Sequence, residues 1–256
     1  MFTLIGCRAR PLPPELPQAT LHDSVQVVGE SVEGRPIEAH VLGDGPDVTL
    51  IIATIHGNEA AGTPLVHALM EHLRLDPSCL DGRRVVIMPI ANPDGYAARR
   101  RTNVNDVDLN RNFPAANRQD RSRFGTVLSE PESRAIAGVL YYYRPRRIVS
   151  IHQPLNCIDY DGPAEELAAE MARHGDLPVK KLGARPGSLG SHAGVDLGTP
   201  IITLELPREA DALTRDVLWQ RYGAALLAAV RFSPAEPAPP AAPSAPAGPS
   251  PAGPPE

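Results

Sequence analysis

Three apolar runs in this chain end in, or close over, side chains that could do chemistry. In LIIATIHGNEAAG (residues 50–62) a β-branched run stops at His56, and Glu59 follows three residues later. The run ending in SIH brings His152, and TLELP brings Glu205. A buried strand that breaks into a helix places His56 and Glu59 at the corner, and residues three apart on a helical turn share a side. One imidazole and one carboxylate then reach one ion. With His152 they form a His₂Glu set, one of the donor sets of catalytic zinc, in which three protein ligands leave a position open for water. Glu205 lies in an apolar strand, where a charged carboxylate is costly to bury uncompensated. A metal, or the proton of a water held by one, would compensate it.

The elements that must position these residues follow from the periodicities. Residues 24–42 alternate about Gly34-Arg35-Pro36 and predict a β-hairpin. A strand is expected over 48–55 and an amphipathic helix over 60–74, with Leu65, Leu69 and Leu73 inward. That helix carries His67, Glu71 and His72, a second group of potential metal donors that reads more simply as a solvated face. A strand over Arg84–Ile90 runs into the turn residues Asn92, Pro93, Asp94 and Gly95. Tyr96–Leu128 is aperiodic and rich in Arg and Asn, a length of loop that points to function or disorder. Ser129 is expected to cap a helix with Pro131 in its first turn, running to about Tyr143.

Arg147–Ile151 predicts a strand, Ala164–His174 a short helix, 183–198 a Gly/Ser-rich loop and Pro200–Leu206 a strand. The closing helix runs from Thr214 to about Phe232, its apolar face formed by Val217, Leu218, Tyr222, Leu226 and Val230. Alternating strands and helices indicate a three-layer α/β/α sandwich with a mixed, largely parallel central sheet. Ligands gather at the carboxyl ends of strands in such sheets, which is where His56 and His152 fall.

At 256 residues and net charge −5, the chain suits one α/β domain or two small ones and lacks the basic surface a general nucleic-acid binder needs. No apolar run is long enough for a membrane span. The three cysteines (Cys7, Cys79, Cys157) show no paired spacing, which fits neither a disulfide framework nor a thiolate zinc site. The cytoplasm is therefore the expected compartment. Leu4-Ile5-Gly6-Cys7 has the look of a lipobox, and a start upstream of it would make the protein lipid-anchored or periplasmic. Residues 1–23 are expected to be an N-terminal arm, 24–232 the catalytic domain, and the Pro/Ala-rich 233–256 a disordered tail.

In order along the chain stand GRPI (34–37), HGNEAAG, NPDG, RTNVNDVDLNRNFP, SEPES, SIHQP, GSLGS and TLELP. On these stretches, spanning roughly 25–230, the sequence resembles the zinc metallocarboxypeptidase family related to carboxypeptidase A. Within that family it is most similar to the bacterial murein peptide amidase branch. The resemblance implies one Zn²⁺ held by His56, Glu59 and His152, and Glu205 as the general base that passes a proton to the leaving amine. It implies Arg101 as the group that polarises the scissile carbonyl, with Arg100 the register alternative, and Asn110 and Arg111 as the clamp on a substrate carboxylate. A guanidinium suits both tasks, because its planar fork matches a carboxylate bidentately.

Animal digestive members of the family place a mobile tyrosine over the substrate. The loop Leu182–Gly198 holds no tyrosine, and the short spacing from His152 to Glu205 trims the specificity pocket. Both features resemble the amidase branch, which cleaves between γ-D-glutamate and meso-diaminopimelate in cell-wall peptides. The expected partner is therefore a small peptide, with Asp159 and Asp161 of DYDG receiving its extra ammonium, or else forming a turn held by Asp side chains. Two other functions are consistent with parts of the sequence. One is an N-acyl amino acid deacylase of the aspartoacylase type, which shares an HGNE-like opening. The other is a non-catalytic zinc or peptide-binding module.

Overall fold

The computed structural model describes residues 22–233. The expected tail, the arm up to residue 21 and the Leu4–Cys7 stretch lie outside the described residues. Seven strands form one sheet: β1 (Asp23–Glu30), β2 (Pro36–Leu42), β3 (Asp47–Ala53), β4 (Arg83–Met88), β5 (Arg147–His152), β6 (Leu155–Asp161) and β7 (Ile201–Pro207), in the spatial order β1-β2-β4-β3-β5-β7-β6. The four central strands are mutually parallel. The hairpin β1–β2 adds antiparallel to β4, and β6 adds antiparallel to β7. Their carboxyl ends thus open on one edge, and β3, β5 and β7, whose ends carry the candidate residues, are consecutive neighbours.

The central strands are apolar on both faces because helices cover both. On one side α1 (Gly62–Leu75), α4 (Glu165–Ala172) and α5 (Arg215–Arg231) bury Leu65, Leu69, Leu73, Leu167, Leu218 and Leu226 against Ile51, Val85, Ile87 and Val149. On the other side α3 (Pro131–Tyr143) packs Ile136 and Leu140 with Leu109 and Phe113 of the long loop against Leu50, Ile52 and Val86. Thr214 caps α5, its side chain accepting from Val217 N. Val217 is only half-buried, and the buried stripe runs through Leu218, Tyr222, Leu226 and Val230 instead.

Four local expectations are corrected. Glu130, not Ser129, is the capping residue of α3; Ser129 Oγ instead donates to Glu130 Oε1 at 2.7 Å. The turn residues at 92–95 begin a short helix, α2 (Pro93–Ala97), whose cap Asn92 accepts from Gly95 N at 2.9 Å. Asp159 and Asp161 sit on a strand rather than in a turn, paired with Thr203 and Ile201. The Gly/Ser-rich loop contains a π-helical turn, Gly190–Asp196, a rare conformation often found at functional sites.

Candidate active site

The corner after β3 is built under strain. Thr54 holds φ at +57°, a left-handed conformation that a β-branched residue adopts at a cost of roughly 1–3 kcal/mol. Surrounding bonds over-determine it. Asn92 N donates to Thr54 O, Asn92 Nδ2 to Ile55 O, and Thr54 Oγ1 pairs with Thr63 Oγ1 at 2.8 Å. Gly57 lies so close to α2 that a Cβ there would fall 1.9 Å from the Gly95 carbonyl carbon. The chain is thereby turned so that His56 and Glu59 both face the end of β5.

There the three expected donors meet. His56 Nδ1 lies 2.9 Å from Glu59 Oε1, and His152 Nδ1 lies 2.9 Å from Glu59 Oε2. The two Nδ1 atoms are 3.2 Å apart, and all three side chains are buried. Bonds of about 2.0–2.1 Å around a tetrahedral zinc place neighbouring ligand atoms about 3.3 Å apart, so the donor set has the spacing of such a site. Two imidazole nitrogens facing each other beside a carboxylate also have the chemistry of one: lone pairs converge where a cation or a proton must sit.

The far nitrogens are fixed as well. His56 Nε2 is 3.0 Å from Asp108 Oδ1, and His152 Nε2 is 2.9 Å from Ser150 Oγ. Such partners orient an imidazole so that its other nitrogen faces the ion. Gln153 N donates to Glu59 Oε2 at 3.2 Å. Burial works against the charge on each of these groups, yet the mutual attraction outweighs it. His56 is raised by Glu59 and Asp108, while the Glu59 and Asp108 carboxyls are held well below the usual carboxylate range by the imidazoles, with Arg101 and Arg111 adding to the effect at Asp108.

Glu205 stands directly beside His152 in the β5–β7 register. Its Oε2 accepts from Leu155 N at 3.2 Å, and burial pushes its pKa up, only partly offset by His152. Arg101 Nη1 donates to Glu59 Oε1 at 2.8 Å, and its remaining nitrogens approach Asp108 Oδ2 at 3.4 Å. Asn110 is turned by Leu189 N, which donates to its Oδ1 at 2.9 Å.

All nine expected site residues line one cavity of about 320 Å³. Arg111 lies in it beside Arg101 and Arg185, so that one wall is rich in guanidinium. Asp159 and Asp161 form another wall. Asp159 Oδ1 accepts from Leu182 N at 2.8 Å, whereas the Asp161 carboxylate has no donor among the described residues. Burial, then the Asp159 charge, pushes Asp161 up to about 6. Gly190 makes room for it: a Cβ there would meet Asp161 Oδ2 at 2.1 Å.

Sequence reasoning missed Asp108, Ser150, Gln153 and Arg185. Asp108 stood inside a quoted motif, DVDLNRNFP, and could have been found by asking which acid would orient His56. Ser150 could have been found by strand periodicity, two residues before His152. Nothing in the sequence distinguished Arg185 from its neighbours.

A His–Glu–His donor set beside a buried carboxylate, at the carboxyl edge of a parallel sheet, fits the class of metal-dependent hydrolases. The chain belongs to the zinc carboxypeptidase family, whose sequence profile matches residues 19–153. It is 31% identical over 239 residues to murein peptide amidase A of Escherichia coli K12, covering 86% of this chain and 93% of that protein. The crystal structure of the murein-tripeptide amidase of Escherichia coli O157 superposes with a TM-score of 0.63 at 27% identity, over 88% of this chain and 95% of that one. Carboxypeptidase A of Helicoverpa armigera shares the fold, with a TM-score of 0.68 at 21% identity over 81% of this chain and 68% of that one. The protein is thus a hydrolytic enzyme, and among its described residues no helix is long and apolar enough to cross a membrane.

Proposed function

We propose that this enzyme hydrolyses the amide bond before the C-terminal residue of a short cell-wall-derived peptide, of the type L-Ala-γ-D-Glu-meso-diaminopimelate, with one zinc ion held by His56, Glu59 and His152. The observation that carries the reading is the cavity itself, which unites that donor set with a guanidinium wall and two buried acids. The similarity to murein peptide amidases supports the substrate class. A zinc ion held there would supply Lewis-acid polarisation of the scissile carbonyl and a water of lowered pKa.

The chain's own residues do the rest. Glu205, tethered through Oε2 to Leu155 N, has an Oε1 with no hydrogen-bond partner among the described residues, which can take a proton from the attacking water and give it to the leaving amine. Its raised pKa suits a group that must both accept and release a proton near neutrality. Arg101, half-exposed at the mouth, is placed to stabilise the developing oxyanion, an effect worth about 3–4 kcal/mol for one good donor. Asn110 and Arg111 hold a substrate carboxylate. Asp159 and Asp161 receive an ammonium, which relieves the cost of burying Asp161 ionised. This acidic wall disfavours an N-acyl aspartate, whose extra carboxylate would meet like charge.

The test is release of diaminopimelate from the tripeptide with and without chelator, beside Glu205→Gln. Hydrolysis lost with chelator, and lost in a variant that still binds zinc, is the expected result. Zinc binding without tripeptide cleavage, combined with turnover of N-acyl amino acids, would overturn the substrate assignment.

A further inference from the structure

At the far end of α1 a second group of soft donors converges. His72 lies in the last turn, Asp76 is the C-terminal cap, and Cys79 follows in the turn Pro77–Leu80. Spacing i, i+4 puts His72 and Asp76 on one side of the helix, and Pro77 turns the chain so that Cys79 comes back beneath them. One ligand atom from each lies within 4.8 Å of the others. The Cys79 thiol is buried and donates to Asp76 Oδ2 at 3.4 Å, while Ser78 Oγ holds Asp76 Oδ1 at 2.5 Å. His67 and Glu71 take no part, since both are exposed and Glu71 pairs with Arg215. Thus only His72 of the three donors read on this helix belongs to a cluster.

We propose that His72, Asp76 and Cys79 form a binding site for a zinc-class divalent cation, separate from the His56–Glu59–His152 set. Thiolate, imidazole and carboxylate together suit zinc or cobalt rather than magnesium or calcium. The thiol proton now shared with Asp76 occupies the cation's place and leaves to solvent when the cation binds. Arg231 Nη2, 2.9 Å from Cys79 Sγ, offsets the burial that raises the thiol and stabilises the thiolate. The carbonyl end of α1 adds a negative potential that favours a cation. Ligand atoms around zinc stand about 3.3–3.7 Å apart, so the group must close by about an ångström. The partly exposed His72 and Asp76 side chains can do this by rotation, and solvent fills the fourth position. Bound there, a cation ties the end of α1 to the turn before β4 and, through Arg231, to the end of α5.

The test uses the full chain freed of metal and titrated with Co²⁺. A thiolate-to-cobalt charge-transfer band reports Cys79, because the other donor set contains no sulfur. The fluorescence of Trp219, the chain's single tryptophan, reports His72, whose ring lies 5.1 Å away. We expect the band, with quenching of Trp219, to be complete by two equivalents in the wild type, where both donor sets fill, to saturate at one equivalent in His152→Ala, and to be displaced by Zn²⁺. It should vanish in Cys79→Ser, and quenching should fall at least several-fold in His72→Gln, a substitution at a helix surface that leaves the core intact. No band in excess cobalt, or a band that survives Cys79→Ser, would overturn the proposal.

Discussion

At the residue scale, the site depends on second partners as much as on the donors. Asp108 bonds His56 Nε2 and also receives Arg101. Replacing it with Asn keeps the shape but removes the charge that steadies the imidazole. Zinc affinity, measured by competition with a chromogenic chelator, is expected to fall roughly 10- to 100-fold in Asp108→Asn. Activity should recover partly when zinc is supplied in excess.

Asp161 gives a second prediction, on stability. Its carboxyl ionises near 3.8 in the unfolded chain and at about 6 in the folded one. Between those values the unfolded chain is charged while the fold retains the proton, so this group's contribution is whole below about 3.8 and is lost as pH rises through about 6. Above that range the buried charge costs on the order of 2–3 kcal/mol. Asp161→Asn should therefore raise the melting temperature at pH 7.5 and flatten its dependence between pH 4 and 7 in thermal scans. A melting temperature equal to that of the wild type at pH 7.5 would remove the argument that this acid awaits a cationic ligand.

At the scale of elements, the site is assembled by two junctions. One is the corner between β3 and α1, where Gly57 meets α2 without room for a Cβ. Gly57→Ala must push the backbone of Gly95 aside, at a cost of about 1–3 kcal/mol. It should lower the urea midpoint and weaken zinc binding together, because the same movement displaces His56. The other junction is β6, which sequence reasoning left unassigned after His152. Its first two residues are exposed and the next five buried, so it carries no clean alternation. Only its pairing with β7 makes it a strand, and that pairing sets Asp159 and Asp161 on the wall of the cavity.

For the whole molecule, His152 lies almost a hundred residues beyond His56 and Glu59 in sequence and meets them only in the folded chain. Binding energy at such a site is folding energy. Zinc at a hundredfold excess over its dissociation constant should add about 2.7 kcal/mol per site at equilibrium. Calorimetric melting with and without chelator will show the difference, and unchanged melting would contradict a zinc site formed by folding. Burial on both faces of the central strands, by α1, α4 and α5 on one side and α3 on the other, holds the three strand ends at fixed spacing.

Much of this was legible in the sequence. The abrupt end of a β-branched run at His56, the three-residue step to Glu59 and the runs ending at His152 and Glu205 are local patterns, and local patterns survive in one dimension. So do Leu65, Leu69 and Leu73, whose spacing announced the buried face of α1. Other features depended on contacts between distant segments. Asp108 orients His56 across 52 residues, and Cys79 joins His72 and Asp76 only because Pro77 turns the chain back. Asp161 owes its raised pKa to burial beneath Gly190, 29 positions along. Residue type and spacing determined which groups can do chemistry. Burial, register and the partner on the far side of each ring exist only in three dimensions, and they decided what those groups do.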